Sequence, residues 1–188
     1  ADEAAAWAAR PKGLDGRVAD VWVYRDERGT EAFRVVRFES DKGKTYRPFH
    51  VAPDEGGWKA GDPKGAGPFP LYRLDRLAAN RSATVYVTEG EKCADLVARL
   101  GAEATTSAHG ASAASRTDWR PLAGRAVVVL PDAGAAGDVY RRDVLARLAA
   151  LTPRPTVRVV ALPGLNDGED VEQWLDALPD CCDALAAL

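Results

Sequence analysis

The rhythm of apolar and polar residues changes near position 83. Upstream, "RVADVWVYRDERGTEAFRVVRFES" (residues 17–40) alternates apolar with charged residues on either side of "DERGT". Period-two alternation broken by a turn-forming cluster predicts a β-hairpin. "KTYRPFHV" adds a third expected strand, and "LYRLDRLAAN" a short helix. Between them, "APDEGGWKAGDPKGAGPFP" has no period and is dense in Gly and Pro, so it predicts an irregular loop. Downstream, "TVYVT", "EATTS", "RAVVVLP" and "TVRVVAL" are short apolar runs of strand length. Helical patterns separate them over 91–100, about 111–119, and 135–151, and a last helix starts near Asp170. Strand–helix alternation predicts a parallel sheet flanked by helices. The expected organisation is a helix end and linker over 1–16, a β-rich lobe over 17–82, and an α/β domain over 83–188.

Composition narrows the class. The chain has 188 residues and is 46% hydrophobic, enough for one ordinary core and a smaller lobe. A net charge of −3 excludes a binder held to nucleic acid by bulk charge and leaves room for a local basic face. The three cysteines, Cys93, Cys181 and Cys182, form no CxxC pair. That pattern argues against zinc or a disulfide framework and fits a reducing cytoplasm. No apolar run reaches the length of a membrane span, and none reads as a signal peptide. The absence of methionine suggests a piece of a longer chain. "GDPKGAGP" lacks the GK[ST] ending of a nucleotide-motor loop.

Three acids fall where a parallel sheet places its chemistry, beyond the carboxyl ends of strands. Glu89 follows "VYVT", Asp132 follows "VVVLP", and Asp170 follows "VRVVALPG" at the start of the last helix. Carboxylates crowded on one sheet edge call for a hard divalent cation with oxygen ligands, and Mg²⁺ suits phosphate chemistry. Each acid also has a purely structural reading. Glu89 can favour a helix dipole, Asp132 can make a "PDAG" turn, and Asp170 can cap "VEQWLDAL".

The combination "VYVTEGEK…VVVLPDAGAAGD…LPGLNDGEDVEQWL" resembles a Toprim domain, over roughly residues 83–178. The similarity is strongest to the Toprim modules of phage- and plasmid-type DNA primases and primase-helicases, often carried on mobile elements. The resemblance implies a DNA-replication enzyme: template-directed nucleotidyl transfer on single-stranded DNA, with Mg²⁺ or Mn²⁺ and nucleoside triphosphates. It implies Glu89 as general acid/base or metal ligand, and Asp132 and Asp170 as metal ligands. It implies turn roles for Gly90 and Gly137. It also implies a helicase or zinc-binding module elsewhere in the parent protein. Two positions depart from the pattern. The second aspartate of the family's Asp-x-Asp falls at Gly134, and Cys93 stands where related primases often carry an aspartate. Asp95 and Asp138 are nearby acids that could compensate, and restoring Asp at position 134 is expected to tighten metal binding. The alternatives are a Toprim nuclease, and a catalytically impaired Toprim module that binds nucleic acid or a partner protein. A topoisomerase fits less well, because Tyr140 lies in a helical pattern where it would pack.

Other residues have two readings each. Lys92, Ser107, His109 and Gly110 could hold a nucleotide or phosphate near a helix start, or could be an ordinary cap, loop and solvated lysine. Arg37, Lys44 and Arg47 alternate with aromatic residues, and Arg73 lies on the short helix. These four could track a nucleic-acid strand or could form a solvated face.

Overall fold

The computed structural model describes residues 16–52, 57–63, 65 and 67–178. The expected helix end over 1–15 and the cysteine pair Cys181–Cys182 lie outside those residues. The chain divides into two compact units, Ala1–Gly67 and Pro68–Leu188.

The first unit is an antiparallel sheet with strand order β1-β2-β3-β4. Its strands are β1 (Arg17–Arg25), β2 (Glu31–Ser40), β3 (Gly43–Ala52) and β4 (Gly57–Ala60). The hairpin turn is closed by Asp26, whose Oδ1 accepts from the Arg28 and Thr30 amides at 2.9 and 2.8 Å. This is the local bonding that makes Asp a turn residue. Strand β4 lies inside the segment expected to be an irregular loop. Trp58 supplies the reason: it pairs opposite Val51 and packs on the Val36, Phe38 and Phe49 cluster. Apolar burial overrides the turn-rich composition around it.

The second unit holds a parallel sheet with order β6-β5-β7-β8. The strands are β5 (Val85–Thr88), β6 (Glu103–Thr105), β7 (Ala126–Leu130) and β8 (Thr156–Val159). The α-helices of this unit are α1 (Leu74–Ala79), α2 (Glu91–Arg99), α3 (Ala135–Ala149) and α4 (Val171–Asp176). The sheet flanked by helices agrees with the strand–helix alternation of the sequence. Residues 111–116 form a 3₁₀ helix in place of the longer helix expected there. β5 and β7 are central, and Val85, Val87, Val127 and Val129 pack with Tyr140, Val144 and Leu148 of α3 in one core. Residues 68–82 join the same unit. Phe69 bridges Thr117, the Tyr72 amide donates to Thr106 O at 3.0 Å, and buried Arg125 donates to the Leu77, Asn80 and Ala83 carbonyls. No helix among the described residues is long and apolar enough to cross a membrane.

Candidate active site

The carboxyl ends of β5 and β7 lie side by side, with Thr88 paired to Leu130. Glu89 is the next residue on one strand and Asp132 follows two residues after the other. Parallel neighbours in register therefore bring the two acids together by backbone geometry alone. Their carboxyls are within hydrogen-bonding reach, and Glu89 also accepts from the Asp132 backbone. One oxygen of each, Glu89 Oε2 and Asp132 Oδ1, is buried and receives no donor among the described residues. Asp170 is close enough that its charge acts on both.

Burial and crowding set the electrostatics. Burial raises the Glu89 pKa above the usual carboxylate value, and the Asp170 charge adds to the rise while contact with Asp132 opposes it. Asp132 is pushed up to about 7, first by burial and then by the charges of Glu89 and Asp170. Asp170 also caps α4: its Oδ1 accepts from the Glu172 amide at 2.6 Å, and Gln173 Oε1 accepts from the Asp170 amide at 3.0 Å. The capping reading and the proximity to the acids therefore hold together at this residue. The Cys93 thiol is buried against Asp170, and burial pushes its pKa up. The burial is what its helical spacing implied, but the thiol faces the acids rather than an apolar surface.

Two glycines have different jobs. A Cβ on Gly137 would meet Asp132 O at 1.9 Å, so glycine is what lets α3 start against the acid's own backbone. Gly90 corrects the expectation of a glycine-dependent turn. Its φ of −139° is open to any residue, and a Cβ there meets nothing within 4 Å. Gly134 corrects another. Its φ is +102° with ψ −174°, and a Cβ would lie 1.7 Å from Asp167 Oδ1. Aspartate cannot simply be restored at that position.

The other named residues are dispersed. Lys92 Nζ is paired with Glu172 at 2.5 Å. Ser107 is fully buried with its hydroxyl 3.2 Å from Tyr140 Oη, and Tyr140 in turn donates to Thr88 O at 3.0 Å. His109 lies edge-on to Phe69 rather than in open solvent, with ring centroids 4.8 Å apart. Gly110 precedes the 3₁₀ helix with φ +70°. Arg73 donates to Asp95 at 3.2 Å, as Tyr72 does at 3.1 Å. Arg37 is buried and paired with Asp20 and Glu39. Lys44 pairs across the ladder with Glu39, and Arg47 with Val36. Side chains alternate along a strand, so Lys44 and Arg47 face opposite sides of the sheet. A cavity of about 150 Å³ opens beside Asp132, lined also by Gly134, Asp138, Arg141, Leu162 and Leu165.

The site's donors are carboxylate oxygens, the hard set that Mg²⁺ and Mn²⁺ take, and two of the oxygens are buried without a donor. A divalent cation therefore fits the chemistry of the edge. Among the described residues, no three His, Cys, Asp or Glu are already gathered as a metal cluster.

No protein-family model and no curated protein sequence matches the chain. Solved structures do. The DnaG primase catalytic domain bound to single-stranded DNA matches with a TM-score of 0.58 and 18% identity, over 89% of this chain and 50% of that one. The E. coli primase catalytic core matches at 0.56 and 20% identity, over 83% and 47%. The Aquifex aeolicus primase, with zinc-binding and RNA polymerase domains, matches at 0.59 and 16% identity, over 94% and 41%. The chain spans half or less of the length of these proteins. Its fold is similar to that of primase catalytic cores.

Proposed function

We propose that this chain is the core of a primase-type nucleotidyltransferase, acting on single-stranded DNA with a divalent cation and nucleoside triphosphates. The observation that carries the reading is the pairing of Glu89 with Asp132 at the carboxyl edge of the parallel sheet, in a chain with a primase-core fold. Glu89 and Asp132 would hold the cation, with Asp170 contributing charge from the cap of α4. Bound there, Mg²⁺ or Mn²⁺ would supply charge neutralisation at the nucleotide phosphates. Glu89 manages the proton: burial raises its pKa above the usual carboxylate value, which favours a carboxyl able to accept and return one. Asp132 keeps the second carboxylate in place through its backbone, fixed against Gly137. By analogy with the Aquifex aeolicus primase, the parent protein would also carry a zinc-binding module, and the sequence resemblance adds a helicase module as the alternative.

One feature favours the runner-up, a Toprim module that binds nucleic acid without catalysis: position 134 lacks the second motif acid. Primer synthesis separates the two. With a long single-stranded template, ribonucleotides and Mn²⁺, wild type should make primers. Glu89→Gln should lose activity at least about 100-fold, the scale of general acid–base catalysis, with a melting temperature no lower than that of wild type. Equal inactivity of both proteins, with equal DNA binding, would leave only the binding module.

A further inference from the structure

The acid missing at position 134 has a replacement in space. We propose that Asp167 supplies the carboxylate which the second motif position lacks, and that it holds the divalent cation together with Asp132. The inference rests on the metal-dependent reading above.

The geometry is specific. A Cβ built on Gly134 would lie 1.7 Å from Asp167 Oδ1 and 2.7 Å from its Cγ. The carboxylate of Asp167 therefore occupies the volume into which an aspartate at 134 would begin to project. Backbone bonds hold it there. The Ala133 amide donates to Glu169 O at 2.8 Å, and the Gly168 amide donates to Ala133 O at 2.8 Å. These two bonds clamp the loop before α4 onto the segment between Asp132 and Gly134. The loop is itself closed by Glu169, whose Oε2 accepts from the Asn166 amide at 2.7 Å and from its side-chain amide at 3.1 Å. Asp167 thus sits at the tip of a braced turn.

The replacement also explains the glycine. A φ of +102° with ψ near 180° belongs to a backbone region used almost only by glycine. Gly134 and Asp167 are two halves of one exchange: the strand-end loop gives up its side chain, and the facing loop fills the space with an acid. The other candidates for compensation are engaged elsewhere. Asp95 accepts from Tyr72 and Arg73, and Asp138 is paired with Arg141 at 2.9 Å. Asp167 is exposed, so it can reach an ion arriving from solvent, and the buried, donor-free oxygen of Asp132 gives that ion a second ligand.

The test is Mn²⁺ binding, read by loss of the free-ion paramagnetic resonance signal on titrating the whole chain. Wild type should bind, and Asp167→Asn should bind about 10-fold more weakly or worse, the loss expected when a metal site is stripped of a polar partner. Asp138→Asn removes the same charge nearby and should change binding by less than about 2-fold. The melting temperatures of the metal-free proteins should agree, because Asp167 is exposed. Wild-type affinity in Asp167→Asn would overturn the proposal and leave a metal site on Glu89 and Asp132. Equal weakening by Asp138→Asn would also overturn it, because general charge would then explain the effect. No binding by wild type would remove both this proposal and the metal-dependent reading beneath it.

Discussion

The two sheets treat their charged residues in opposite ways. In the antiparallel unit, buried charges have counterions. Arg34 is paired with Glu31 at 2.5 Å and lies over the Trp58 ring at 4.1 Å. Arg37 meets Asp20 and Glu39, and Glu39 also meets Arg17 at 2.8 Å. At the carboxyl edge of the parallel sheet, Glu89, Asp132 and Asp170 instead crowd their negative charges on one another. A lone buried charge is expensive, so proteins pair such groups or use them. The first unit pairs them and gains structure. The second leaves an unbalanced acidic edge, which is the form a cation or proton site takes.

The comparison breaks first at the glycines that build that edge. Gly137→Ala drives a Cβ to within 1.9 Å of Asp132 O, a backbone atom with little freedom to move. It should destabilise the protein by about 3 kcal/mol or more, the upper end for overpacking. Gly90→Ala, one residue after Glu89, meets no neighbour and should stay within about 0.5 kcal/mol of wild type. Urea denaturation of both variants checks this, and similar midpoints for the two would show that α3 is not set against Asp132 as described.

The acidic edge should next reveal itself in the pH dependence of stability. Burial and the neighbouring acids push Asp132 up to about 7 in the folded state, against an ordinary value of 3.8. The folded state therefore holds more protons between those values, and stability falls as pH rises through the window. The cost is absent below pH 4 and fully present above pH 7. After allowance for partial solvent exposure it is about 1–3 kcal/mol. Asp132→Asn removes it. Without divalent cations, the variant should melt higher than wild type at pH 8 and equal to it near pH 4. Added Mn²⁺ should raise the wild-type melting temperature at pH 8 and leave the variant's almost unchanged. A variant that melts lower than wild type at pH 8 would mean that the edge is not strained by its charge.

Much of this edge was legible in the sequence, because period and position carried it. Apolar runs ending in Glu89 and Asp132 placed both acids at strand ends, and parallel register does the rest. Strand β4 was hidden because its stabilisation comes from Trp58 packing across the sheet, which the surrounding glycines and prolines mask. The helix expected over 111–119 became 3₁₀ over Ala111–Arg116, where a buried Trp119 donates to Ala114 O at 2.8 Å and turns the chain. Asp167 was missed for a different reason. "LNDGED" reads as an exposed turn, and its relation to Gly134 exists only once two loops far apart in sequence are joined by backbone bonds. The alternation of Arg37 with aromatics suggests a nucleic-acid contact, yet a period of two says which face a residue takes and not that Asp20 and Glu39 wait there.

The paired sheet carries the smallest effect and the sharpest geometric choice. Lys44 shares its face with Tyr46, which is exposed and stacked on Trp22 with centroids 6.2 Å apart. Arg47 emerges on the other face, opposite Val36. A single strand that stacks on an aromatic and follows a backbone of lysine and arginine uses one face of a sheet at a time. We expect it to use the Lys44–Tyr46 face, because the exposed Tyr46 ring accompanies the cation there. Lys44→Ala should then lower the slope of log affinity against log salt for single-stranded DNA by roughly one phosphate contact, about 0.7. Arg47→Ala should leave the slope as it is. Fluorescence anisotropy with an oligothymidine across a salt series measures both slopes. A loss at Arg47 and none at Lys44 would move the strand to the opposite face. Equal losses at both would mean that the basic residues act as a diffuse field rather than as a track.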